Sequence, residues 1–94
     1  MNSIATAAAH YNDEERPDIA LEAVESSQVK AIGYDEQTET LAVTFTRGAR
    51  AIYHYPSVKR ATFDAFKSSD SIGKFFGEHI KGLPFKKYRA EAAQ

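Results

Sequence analysis

At 94 residues, with 43% hydrophobic and 12% aromatic side chains, the chain carries enough apolar matter for one small core and no second domain. It has no cysteine, and its three histidines, His10, His54 and His79, show no ligand spacing. Disulfides and a metal site held by cysteine or histidine are therefore excluded, and no cofactor is expected. The net charge of −1 hides an asymmetry. Residues 1–46 carry nine acidic and two basic side chains (net −7), and residues 47–94 carry four acidic and ten basic ones (net +6). A positive half attracts phosphates, nucleic acid or an acidic partner, or else the two halves neutralise each other in the fold or in a dimer. No apolar run approaches the roughly 20 residues of a membrane span. The N-terminus lacks the basic start and apolar core of a signal peptide, so the expectation is a cytoplasmic protein without membrane contact.

Residues 1–25 read as an acidic extension. Residues 1–15 are expected as a frayed tail, and Asp18 is placed to cap a short helix carrying Ile19, Leu21, Ala23 and Val24. Such a helix forms only by docking on the domain or on another subunit. The organised domain is expected over residues 26–89, with residues 90–94 flexible. Gln28–Asp35 reads as a strand, and Glu36–Glu39 as a polar turn. Thr40–Arg47 is the clearest strand, with Leu41, Val43 and Phe45 on one face and Thr40, Ala42, Thr44 and Thr46 on the other. Gly48 turns the chain into a third strand over 49–55, which Pro56 closes. Short connections make the three an antiparallel meander.

Beyond Pro56 the period changes to that of a helix. Ser57 is placed to cap a first helix whose stripe is Val58, Ala61, Thr62, Ala65 and Phe66, with Phe63 on its flank. Ser68–Ser71 breaks it and caps a second, with Ile72, Phe75, Phe76, His79 and Ile80 on its stripe. Gly82 stands where a left-handed C-terminal glycine belongs, and Pro84 stops continuation. The expected class is α+β in the order β-β-β-α-α, with both helices packed on the Leu41–Val43–Phe45 face. A core this small gains from docking residues 18–25 or from forming a homo-oligomer.

Several segments together resemble the KTSC domain, a short module at the C-terminus of some lysyl-tRNA synthetases that is also found as a stand-alone bacterial protein. They are Val24-Glu25-Ser26-Ser27, Ile32-Gly33-Tyr34-Asp35, Leu41-Ala42-Val43-Thr44-Phe45 followed by Gly48, Tyr53-His54-Tyr55, and Ser71-Ile72-Gly73-Lys74-Phe75-Phe76. Ile80, Phe85 and Tyr88 echo the family's closing aromatics. The resemblance covers about two thirds of the chain and omits residues 1–23. Gly77 and the Gly82-Leu83-Pro84 turn depart from the family pattern. The resemblance implies no catalytic activity, and RNA binding has been suggested for the family.

No nucleophile elbow, phosphate loop or paired-carboxylate motif is present, so no enzyme is expected. His54 and His79 are the available bases, and His79, on an apolar stripe, is expected as a satisfied, partly buried histidine. Ser71, Gly73 and Lys74 would offer a phosphate free N–H groups, close approach and a charge, although a simple cap and packing glycine explains them equally. Tyr53 and Tyr55, sharing a strand face near Arg47, Arg50, Lys59 and Arg60, form the stacking candidate for a base with its phosphates. The competing reading places both tyrosines in the core. Lys86, Lys87 and Tyr88, in the segment Phe85-Lys86-Lys87-Tyr88-Arg89, would clamp the same ligand, or else the segment is an edge packed by Phe85 and Tyr88.

The leading expectation is a non-enzymatic module for a phosphate-bearing ligand: RNA, single-stranded nucleic acid or a nucleotide. The alternative is a protein-interaction module, such as a small phage or bacterial regulator that binds a host protein or self-associates, sequestering a nucleotide at subunit interfaces.

Overall fold

The computed structural model describes residues 16–47 and 51–89, so the readings for residues 1–15, Gly48, Arg50 and residues 90–94 lie outside the described residues. Five strands form one antiparallel sheet in sequence order: β1 (Glu22–Ala23), β2 (Val29–Asp35), β3 (Thr40–Phe45), β4 (Ala51–Tyr55) and β5 (Lys86–Arg89). Between β4 and β5 run the helix α1 (Arg60–Lys67) and the short helix α2 (Ile72–Phe75). A π-helical turn, Phe76–Ile80, continues α2. The α+β class is as expected, but the sheet has two more strands than the three the sequence pattern announces.

The three central strands follow from their composition. β2 and β3 are joined by a turn in which the Asp35 carboxylate accepts a hydrogen bond from the Gln37 amide at 2.9 Å, a common use of aspartate in turns. Glu39 closes that turn at φ 54°. The register jumps between Val29 and Ala31, so Lys30 is the extra residue of a bulge. Without it Val29 and Ile32 would point to opposite faces; with it both enter the same core and are fully buried.

The helical layer is built from large aromatic rings. Phe66 is fully buried and lies 5.4 Å from Phe75, and Phe63 stacks on Tyr34 with centroids 5.0 Å apart. Each such pair contributes about 0.5–1.5 kcal/mol beyond its burial. The Tyr34 hydroxyl donates to the Val58 carbonyl at 2.6 Å, and the Val58 amide donates to the Glu39 carbonyl at 2.8 Å. These two bonds fix the entry to α1.

Four helical details differ from expectation. Ser57 takes a left-handed φ of 63° and does not cap; the N-cap is Lys59, whose carbonyl receives the amides of Thr62 and Phe63. The later start rotates the buried stripe onto Phe63 and Phe66, leaving Ala61 and Ala65 exposed. In the π turn the Lys81 amide bonds to the Phe76 carbonyl five residues back. That widening carries Ile80 inward and leaves the His79 side chain 55% exposed, not buried as its spacing implied. Gly82 does not adopt the left-handed conformation.

The other face of the sheet is covered by residues 16–21, which run as an extended arm rather than the expected helix. Ile19 is buried in a cluster with Ala42 and Ile52, and the arm ends in β1, paired with Ala31 and Ile32. Gly33 explains the crossing: a Cβ built there would lie 2.0 Å from the Ala20 carbonyl oxygen. Only glycine admits backbone this close to a strand. We expect Gly33→Ala to lose about 1–3 kcal/mol in urea unfolding, with amide protection at residues 19–24 lost first. An unchanged midpoint with unchanged protection would refute this account of the arm.

Candidate functional site

Two adjoining depressions meet at Ser27 and Gln28, where the chain bends into β2. The first, of about 570 Å³, is lined by Ser27, Gln28, Phe45, Thr46, Arg47 and Phe76. The second, of about 400 Å³, is lined by residues 25–28 on one side and 70–74 on the other. Both lie within the size range of small-molecule sites.

The bend is held by short polar contacts. The Ser26 hydroxyl oxygen accepts hydrogen bonds from the amides of Gln28 and Val29, each at 3.1 Å. Thr46 staples the same bend to the end of β3, its hydroxyl donating to the Ser27 carbonyl at 2.8 Å and its amide to the Gln28 carbonyl at 2.9 Å. Across the cleft, the Ser71 hydroxyl oxygen caps α2 by accepting from the Lys74 amide at 3.2 Å. Gly73 lets the two walls approach: a Cβ there would lie 2.8 Å from Gln28 Oε1 and 3.6 Å from Ser26 Oγ. The floor of the first depression is apolar, with Phe45 and Phe76 packed edge to face at 5.1 Å. Its rim carries Arg47, and the second rim carries Lys74 with Glu25 and Asp70. Neither Arg47 nor Lys74 pairs with a carboxylate among the described residues.

Of the residues singled out in the sequence, Arg47, Ser71, Gly73 and Lys74 are brought together here. The tyrosines are not. Tyr55 is 3% exposed within the core and touches Phe76 and Phe85, so its ring offers no face to a base. Burial also pushes its phenol pKa up. Tyr53 is half-buried among Phe45, Phe85 and the Lys87 ammonium, which lies 5.7 Å over its ring. Lys59 pairs with Glu39 at 3.8 Å, and Arg60 with Glu36 and Asp64, all on the α1 side. The β5 residues divide between faces: Lys87 lies opposite Tyr53, whereas Lys86 lies opposite His54 and Tyr88 opposite Ile52. They form no single clamp. Sequence reasoning missed Ser26, Ser27 and Gln28 as site residues, because their approach to residues 70–74 is long-range and leaves no local signal.

Comparison with known proteins places this cleft inside a recognised module. The family model for the KTSC domain matches residues 25–85. An uncharacterized protein of Stutzerimonas stutzeri (strain A1501) is 30% identical over 69 residues, covering 73% of this chain and 94% of that protein. A protein of Tsukamurella paurometabola is 35% identical over 72 residues, covering 77% and 98% respectively. The crystal structure of a KTSC domain protein from Yersinia pestis superposes with a TM-score of 0.67 at 30% identity, covering 77% of this chain and 97% of that one. Among the described residues, no group of three or more His, Cys, Asp or Glu is placed to hold a metal ion, and no helix is long and apolar enough to cross a membrane.

His54 lies away from the cleft, on the arm-covered face, with its ring 4.9 Å from Tyr88. It is 3% exposed. Burial first, and the Arg16 charge second, lower its pKa from 6.5 to about 4. Between those pH values the unfolded chain binds a proton that the folded chain refuses. The stability contributed by the neutral ring is thus complete above the unfolded value and declines as the pH falls toward the folded one. That decline is expected to reach about 3 kcal/mol. Urea unfolding of wild type and His54→Phe at pH 7 and pH 4.5 measures it, and equal losses in both would remove His54 as the cause.

Proposed function

The chain belongs to the KTSC domain family, and from the geometry of the cleft we propose that it is a non-enzymatic binding module for a phosphate-bearing ligand, a single-stranded RNA or a nucleotide. One observation carries this reading: Arg47 and Lys74, neither paired to a carboxylate among the described residues, stand on the two sides of the Ser27–Gln28 bend, beside an aromatic floor. A base fits against Phe45 and Phe76, while its phosphates lie toward Arg47 and Lys74. The carboxylates of Glu25 and Asp70 oppose a dense polyphosphate. They favour a ligand that also donates hydrogen bonds, as ribose hydroxyls and exocyclic amines do. The site has thereby moved from the Tyr53–Tyr55 face to the mouth of the sheet.

The protein-interaction alternative has one observation behind it. Leu21 is the exposed large hydrophobic residue among those described, at 38%, and it lies beside the two-residue edge strand β1. A single leucine does not make a contiguous apolar patch, so this reading is the weaker.

Fluorescence anisotropy with a mixed single-stranded RNA, repeated over a salt series, tests the binding reading. Arg47→Ala and Lys74→Ala are each expected to weaken binding several-fold and to reduce the log–log salt slope by about 0.7. Tyr55→Phe should leave both unchanged. Absence of binding at low salt to RNA and to nucleoside monophosphates alike would overturn the proposal.

A further inference from the structure

The second depression of the cleft has a lining unlike the first. The first has the Phe45 and Phe76 rings for a floor. The second is lined by polar groups, and the one large apolar side chain in its wall, Ile72, is buried. Each wall carries a carboxylate, Glu25 on the side of the bend and Asp70 on the side of the helical segment. Both residues are exposed, and neither pairs with a cation among the described residues.

A serine follows each carboxylate in the chain. Ser26 Oγ accepts from the amides of Gln28 and Val29, and Ser71 Oγ accepts from that of Lys74. A hydroxyl whose oxygen is used in this way still has its proton to give. On both walls, then, a carboxylate that only accepts stands next to a hydroxyl placed to donate. The ligand group that answers both is one that donates and accepts at once, which is an alcohol. Two such walls, brought together at Gly73 and Gln28, suit two alcohols on neighbouring carbons.

We propose that the second depression holds the 3′-terminal ribose of the bound RNA or nucleotide, its free 2′,3′-diol donating to Glu25 and Asp70 and accepting from Ser26 and Ser71. The base then lies on Phe45 and Phe76 in the adjoining depression. The assignment deepens the phosphate-ligand reading of the cleft and rests on it. It narrows the ligand to a chain end by charge. Arg47 and Lys74 suffice for one 5′-phosphate, and a second phosphate on the 3′ side meets only Glu25 and Asp70. Every ribose inside an RNA chain carries that second phosphate. A DNA end lacks the 2′-hydroxyl that marks RNA. A neutral diol, by contrast, gains charge-assisted hydrogen bonds from both carboxylates.

The test is fluorescence anisotropy of the full chain at low salt with a short 5′-labelled RNA of mixed sequence. The RNA is made with a free 2′,3′-diol, with a 3′-phosphate or with a 2′,3′-dideoxy end. The free diol is expected to bind about tenfold more tightly than either other end. Asp70→Asn and Glu25→Gln keep an acceptor oxygen and lose the charge, so each should recover binding of the 3′-phosphate end several-fold. Glu78→Gln, an exposed carboxylate outside the cleft, should leave the difference between ends unchanged. Equal affinity for the three ends, with Arg47→Ala still weakening all of them, overturns the terminal-ribose assignment and leaves the phosphate reading standing. A preference for the free diol that persists undiminished in both Asp70→Asn and Glu25→Gln also overturns it. No binding of any of the three RNAs or of adenosine 5′-monophosphate overturns both.

Discussion

Four successive residues of β3, Leu41 to Thr44, are buried, and since successive side chains point to opposite faces, the sheet must be covered on both sides. A lone sheet of this size cannot meet that demand. The helical layer meets it on one face with Phe63, Phe66, Phe75 and Phe76. On the other face the cover is an extended arm, too thin to bring a ridge of large side chains. It succeeds by lying backbone against strand at Gly33 and by sinking Ile19 between Ala42 and Ile52. Tyr88 completes that side at the far edge of the sheet.

This two-sided demand decides where the chemistry goes. Tyr53 and Tyr55 share the parity of the helical face, so the volume they bring is spent filling the core, where Tyr55 meets Phe76 and Phe85. His54, one residue out of phase, is sent to the arm side. Within regular ladders the backbone polar groups are consumed by pairing. At the Ser26–Gln28 bend and the Ser71–Lys74 segment the ladder gives way, and serine hydroxyls take the backbone amides instead. The candidate cleft lies at these ends of elements, where function on a rigid scaffold is usually carried.

Much of this was legible in the sequence. The alternation over 40–47, the turn at 36–39 and the change of period after Pro56 each placed an element of the right kind. What escaped notice was either too short or out of phase. β1 has two residues, too few for alternation to be a signal, and β5, Lys-Lys-Tyr-Arg, carries a single apolar residue, so its segment read as an edge only as one of two alternatives. The Lys30 bulge and the π turn each shift the phase by a residue, which is why Val29 enters the core and His79 leaves it. In α1 the expected stripe holds at Val58 and Phe66 and fails at Ala61 and Ala65, whose place on the buried side goes to the larger Phe63 ring. As for the site, the basic and glycine residues at 47 and 71–74 were identified, but their partner at 26–28 was invisible because the pairing is long-range. Nothing in a single sequence says which loop faces which.

The charge asymmetry resolves the same way, by pairing across the fold. Glu22, Glu36 and Glu39 from the acidic half reach Lys67, Arg60 and Lys59 of α1 and its cap. All are exposed, so each contributes at most about 1 kcal/mol to stability. Their consequence is cancellation: α1 stops being a cationic face, while at the cleft Arg47 and Lys74 share the rims with Glu25 and Asp70. Exposed charges act over about 8–10 Å at physiological salt, so these charges act locally. Lys86, opposite His54, stands on the other side of a packed sheet, out of their reach. The two faces are therefore electrostatically separate, and substitutions made on one are expected to add to, not modulate, those made on the other.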